Sequence, residues 1–106
     1  MNSADYTYGL LKRDINYLSE SVKKFPEIEK AVIFGSRAMG NYKKGSDIDM
    51  AIFGRKVNFD ITSRLSGLLN EELPIPYYTD VINFNTFESE ELKQHILKKG
   101  KVLYKK

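Results

Sequence analysis

Asp47 and Asp49 stand one residue apart in the stretch SDIDMAIF, at the mouth of an apolar segment. Carboxylates are depleted in strands and costly to bury unpaired, so something must offset that cost. If Asp47 to Phe53 is a strand, residues i and i+2 share a face, and the two carboxylates lie side by side with α-carbons about 6.5 Å apart. Ile48, Met50 and Ile52 then point the other way, into a core. Two like charges this close raise each other's pKa unless a cation joins them. A hard divalent cation suits oxygen ligands, and magnesium takes a few carboxylates together with substrate phosphates. Asp80 is the best third carboxylate, because it sits among strand formers in YYTDVINF, where a charge has no packing role. If its strand neighbours the one carrying Asp49, the three share a face. Read singly, Asp47 serves equally as a turn cap after Ser46, and Asp49 as a water-facing residue of an edge strand. Asp5, Asp14 and Asp60 read as ordinary N-terminal or helix-surface residues.

Upstream, Gly35-Ser36 follows an apolar segment and precedes a short helical stretch. Backbone amides at such a turn suit phosphate oxygens. The Ser36 hydroxyl adds a donor, and Arg37 offers a planar fork for a phosphate or, equally, for a surface salt bridge. Gly40 to Ser46 imitates the spacing of a P-loop, but Ser46 and Asp47 stand where the required lysine belongs, and the loop leads into a strand where a P-loop leads into a helix. That reading is rejected, and Lys43 and Lys44 are taken as solvated loop residues.

The elements that must position these groups follow from periodicity. Leu11, Ile15, Leu18, Val22 and Phe25 recur at steps of four and three, which predicts a helix from Tyr8 to Phe25, stopped by Pro26. Ala31 to Phe34 is apolar without alternation, so it reads as a strand buried on both faces. A short helix follows from Ser36 towards Asn41, then a loop, then the strand Asp47 to Phe53. Asn58 or Asp60 caps a helix carrying Ile61, Leu65, Leu68 and Leu69, closed by Pro74 and Pro76. A third strand spans Tyr78 to Phe84. Ser89 caps a last helix that ends in Lys98, Lys99 and Gly100, and Val102 to Tyr104 adds a short strand. Helices alternating with strands predict an α/β (α+β) architecture, a sheet covered by helices.

With 106 residues, the expectation is one domain over residues 1–106. The chain has no cysteine, which excludes disulfides and Cys-based zinc sites and fits a reducing cytoplasm. No run approaches the roughly 18 apolar residues of a membrane span, and no secretion signal opens the chain. The net charge of +3 is concentrated in the C-terminal KKGKVLYKK, read as a solvated, slightly frayed tail, or else as a surface for an acidic partner. Direct nucleic-acid binding is not expected from so small an excess. His95 has no partner at ligand spacing and reads as a surface or half-buried residue. Tyr6, Tyr8, Tyr42, Tyr77 and Tyr78 read as amphipathic packing rather than as sites of self-modification.

In combination these residues become specific. Gly35-Ser36, ten intervening residues, then Asp47-Ile48-Asp49 resembles the Gly-Ser…Asp-x-Asp signature of the DNA polymerase beta-like nucleotidyltransferase superfamily. GSRAMG followed by SDIDMAI is most similar to the minimal nucleotidyltransferases (MNT), single-domain prokaryotic proteins often paired with HEPN-domain proteins as toxin–antitoxin systems. The resemblance covers Val32 to Phe84. It implies a mixed sheet of the polymerase beta-like fold. It also implies that Asp47 and Asp49 hold two Mg2+ ions, that Asp80 binds one of them while helping to activate the acceptor hydroxyl, and that Gly35 and Ser36 grip the triphosphate of ATP. Met39 stands where many relatives carry a second arginine. Attack at the α-phosphate would transfer AMP and release pyrophosphate, mostly by positioning and charge neutralisation. The implied acceptor is a tyrosine hydroxyl of a HEPN-type toxin, held in a hetero-oligomer and silenced by the modification. The alternatives are a non-catalytic antitoxin that masks its partner, and a nucleotide-sensing module.

Overall fold

The computed structural model describes residues 6–106, so the expectation for Asp5 lies outside the described residues. Tyr6–Thr7 (β1) and Leu10–Leu11 (β2) form a small antiparallel hairpin ahead of helix α1 (Lys12–Lys23). Strand β3 (Lys30–Phe34) leads through the short helix α2 (Gly35–Met39) and a loop to β4 (Ile48–Phe53). Helix α3 (Phe59–Gly67) widens into a π-turn at Leu68–Glu72, followed by β5 (Thr79–Asn83), α4 (Glu90–Lys99) and β6 (Lys101–Lys105). The main sheet has the order β5-β4-β3-β6, with β3 antiparallel to both β4 and β6 and β4 parallel to β5. It is the mixed, helix-covered sheet expected from the sequence.

Strand alternation sorts the side chains between two cores. Ala31, Ile33, Ile48, Met50 and Ile52 pack with Leu18 and Val22 of α1 and Ile61 and Leu65 of α3. On the opposite face Val32, Phe34 and Ala51 pack with Ile96 of α4, flanked by Phe53, Ile82 and Phe84. Both faces of β3 are covered, which is why its sequence does not alternate. Asn58 caps α3, its side chain accepting from the Ile61 N–H at 2.9 Å, and Ser89 caps α4, accepting from Leu92 N–H at 3.2 Å. Among the described residues no helix is long and apolar enough to cross a membrane.

Three expectations need correction. The first helix starts at Lys12, not Tyr8. Tyr8 (φ 57°) and Gly9 (φ 72°) both take left-handed conformations, which make the mirror-image two-residue turn that suits a twisted hairpin. Leu11 continues the apolar stripe but belongs to β2. Secondly, Asp14 is only 2% exposed rather than on the helix surface. It lies in the first turn of α1, where the helix dipole favours a carboxylate, and its Oδ1 accepts from the Arg13 guanidinium at 3.3 Å. Thirdly, the basic C-terminus is an ordered edge strand: β6 pairs with β3, and the Lys106 N–H donates to the Glu29 carbonyl at 2.9 Å. Lysines on such an edge discourage pairing with another sheet.

Candidate active site

The C-terminal end of β3 and the N-terminal ends of β4 and β5 meet at one edge of the sheet. Asp49, the second residue of β4, pairs with Phe34 on one side and with Asp80 on the other. Directly paired residues of neighbouring strands project from the same face, so Asp49 and Asp80 stand side by side. Their face is that of Ala51 and Ile82, the one that α4 covers further along. Asp47 precedes β4 and is exposed. Asp47 stands one residue ahead of the ladder, in which the neighbour of Asp49 is Asp80.

Asp49 is half-buried and feels both neighbours. Burial, then the charges of Asp80 and Asp47, push its pKa above the ordinary carboxylate value, while His95 works in the opposite direction. Among the described residues no three carboxylate or imidazole groups form a ready-made metal cage. Facing like charges repel, and a cation is what relieves them. The donor chemistry fits such a cation: hard carboxylate oxygens from a loop and two strands, with Asp80 and Asp47 acting electrostatically on half-buried Asp49.

Gly35 is required for two reasons. Its φ of +74° disfavours any side chain, and an added β-carbon would lie 2.5 Å from Asp49 Oδ2. The glycine turn is thus pressed against the carboxylate. Its N–H donates to His95 Nε2 at 3.3 Å, so α4 reaches across to hold the turn. His95 also stands edge-on to Phe34, with ring centroids 6.4 Å apart. It is half-buried as anticipated, but its place at the site was missed. The clue lay in its position beside Ile96, which faces the core; only the docking of α4 shows where that neighbour points. Ser36 follows, half-buried, in the first turn of α2.

Arg37 is placed differently from the phosphate fork envisaged. It is 2% exposed, and its donors are engaged by backbone carbonyls: Nε and Nη2 donate to Ser46 at 3.0 and 2.7 Å, and Nη1 to Tyr8 at 3.0 Å. Its guanidinium lies 4.3 Å from the Tyr77 ring centroid and 5.2 Å from that of Tyr42. The residue it grips, Ser46, immediately precedes Asp47. Arg37 is a clamp that fixes the carboxylate loop against the N-terminal hairpin.

Asn70 does related work for Asp80, and sequence reasoning did not single it out. From the π-turn its Oδ1 accepts from the Thr79 N–H at 2.7 Å, while its Nδ2 donates to the Thr79 carbonyl at 2.8 Å. The side-chain amide imitates a neighbouring strand and pins the residue before Asp80.

Comparison with known proteins bears on the same region. The family described as polymerase beta, nucleotidyltransferase, matches residues 16–106. A candidate protein adenylyltransferase of Methanocaldococcus jannaschii is 35% identical over 103 residues, spanning 89% of this chain and 94% of that protein. A chain of a toxin–antitoxin crystal structure with AMP-PNP shares the fold at a TM-score of 0.73 and 22% identity, over 87% of this chain and 73% of that one. Another, from a complex of tri-AMPylated Shewanella oneidensis HEPN toxin with MNT antitoxin, gives 0.68 and 20%, over 90% and 72%. The family match spans most of the chain and the relative is 35% identical over 89% of it, so the chain belongs to the polymerase beta nucleotidyltransferase family.

Proposed function

We propose that this chain transfers AMP from ATP to a tyrosine hydroxyl of a HEPN-type partner and thereby acts as its antitoxin. The observation that carries the reading is the in-register pairing of Asp49 with Asp80, beside a glycine turn pressed against Asp49. Asp47, Asp49 and Asp80 would hold two Mg2+ ions, which when bound neutralise phosphate charge and polarise the α-phosphoryl group. Asp80, exposed at the rim, takes the proton of the acceptor hydroxyl. The acceptor oxygen bonds to the α-phosphorus, the bond from that phosphorus to the α–β bridging oxygen breaks, and pyrophosphate leaves with the electron pair. Ser36 contributes its hydroxyl to the triphosphate, and His95 keeps the glycine turn in place through the Gly35 N–H. Arg37 acts at one remove, by holding Ser46 and so Asp47. The relative named for protein adenylyl transfer and the toxin–antitoxin structures support this acceptor class.

The test supplies ATP labelled at the α-phosphate, Mg2+ and a HEPN-type protein as acceptor. Label is expected on that protein and is expected to be lost in the Asp47→Asn, Asp49→Asn double variant while the complex still forms. Absence of label under conditions where ATP and Mg2+ bind overturns the reading. Full protection of cells by the double variant assigns the antitoxin effect to masking instead.

A further inference from the structure

Among the described residues, the outer edge of β5 has one residue with both main-chain groups open. Ile48 N–H donates to the Tyr78 carbonyl and Phe84 N–H to the Ile52 carbonyl, so residues 78, 80, 82 and 84 turn their main-chain groups towards β4. Residues 79, 81 and 83 therefore face outward. The main-chain N–H and C=O of Thr79 are satisfied by Asn70, and the Asn83 carbonyl accepts from the Thr86 and Phe87 N–H groups at 3.3 and 3.1 Å. Between these two closures the N–H and C=O of Val81 remain, together with the Asn83 N–H at the far end. The Val81 groups face a groove made of two adjoining hollows of about 450 Å3 each, which share Phe59, Thr62 and Val81. One hollow ends at Asp80 and Tyr78, and the other is walled by Phe87 and Ile82. Phe59, at the shared rim, is 86% exposed, and Tyr78 is 55% exposed.

Resting on the transfer reading above, we infer that this groove holds an extended segment of the acceptor polypeptide. Its backbone pairs with Val81 and thereby presents the hydroxyl-bearing side chain to Asp80. A strand added at an open edge takes its affinity from main-chain bonds and its selectivity from alternate side chains. The segment residue opposite Val81 turns its side chain to the α3 side, beside Phe59. The next residue lies opposite Asp80 and shares its face. The same geometry disfavours a second copy of this chain: pairing Val81 with Val81 would bring two sets of Asp49 and Asp80 together, and like charges near one another across strands repel. A neutral or basic segment meets no such penalty.

The test uses the full-length chain and the full-length HEPN-type protein, with two readouts. Hydrogen exchange at the Val81 amide is expected to slow at least about tenfold in the complex, the equivalent of one net main-chain bond. In label transfer, Phe59→Ser and Val81→Pro are each expected to raise KM for the acceptor about tenfold and to leave KM for ATP within about twofold. Proline at 81 removes only the outward N–H and spares the ladder to β4. Phe59→Ser, at an exposed position, keeps the test decisive if Val81→Pro does not fold. Unchanged exchange at Val81, or unchanged acceptor KM in a folded variant, overturns the inference. So does protection of Val81 that grows with the concentration of this chain alone, which assigns the edge to self-pairing. Protection of Val81 in a complex that transfers no label upholds the groove and sinks the transfer reading.

Discussion

Arg37 and Asn70 hold different neighbours of the carboxylates, Ser46 before Asp47 and Thr79 before Asp80, with different chemistry. Arg37 is a buried cation that ties together two backbone carbonyls from distant parts of the chain, Tyr8 and Ser46, between the rings of Tyr42 and Tyr77. Asn70 is neutral; it exchanges two bonds with Thr79 and also donates to the Ser66 carbonyl of its own helix. The difference follows from what each must hold. The loop before β4 lacks a ladder of its own, so charge-assisted bonds are needed to order it. Strand β5 already pairs with β4, and a single amide is enough to finish its edge. Both leave an opening: a hollow of about 540 Å3 lies beside Arg37, whereas Asn70 closes the strand edge only at Thr79 and leaves Val81 available.

Substitutions test that contrast. The largest effect belongs to neither clamp: Asp49→Asn should lower label transfer by about 10³-fold, the loss of several kcal/mol of charge stabilisation. Next, Arg37→Ala should cost about 3 kcal/mol in denaturant unfolding, since it strips charge-assisted bonds and leaves buried carbonyls unmatched. Arg37→Lys should recover part of that stability but not the fork, and transfer should stay low in both because Asp47 loses its anchor. Asn70→Ala should cost less, about 2 kcal/mol, with faster amide exchange confined to Thr79 and its neighbours. If Asn70→Ala proves as costly as Arg37→Ala, the distinction between a loop clamp and an edge clamp fails.

The smallest effect is one of sign. Asp49 has a raised pKa in the fold, so the folded chain binds more protons than the unfolded chain above the ordinary carboxylate value of 3.8. Stability then falls as pH rises through the raised pKa, and the penalty is complete above it. Asp49→Asn removes the penalty. The variant should melt higher than the metal-free protein at pH 7, and the two should converge below about pH 3.8. Adding Mg2+ should raise the melting point of the wild type and not that of the variant.

How much of this was legible depends on the range of the interaction concerned. Ser89 and Asn58 were identified as caps, or as one of two candidates, because a cap bonds within three residues of itself. The unalternating Ala31–Phe34 stretch announced a strand buried on both faces, and it is one. Tyr8-Gly9 went the other way: the helical stripe ran through Leu11, and the left-handed turn that ends it depends on a hairpin closing onto itself. Asp80 could be nominated as a charge out of place among strand formers, but its pairing with Asp49 is a matter of strand order.

Composition and local pattern alone determined that this chain builds a helix-covered sheet, and that Asp47, Asp49 and Asp80 are the carboxylates to examine beside Gly35 and Ser36. Those conclusions rest on periodicity, propensity and spacing, which act over a few residues. Tertiary structure alone decided that Asp49 neighbours Asp80 in the ladder, that Arg37 faces inward, that His95 reaches Gly35 and that Asn70 finishes β5. Each of these joins groups 9 to 60 residues apart; the Asp49–Asp80 pairing lies within the sheet, and the others tie helices, turns and loops together or to it. Such contacts depend on how elements dock, and no run of neighbouring residues encodes that by itself.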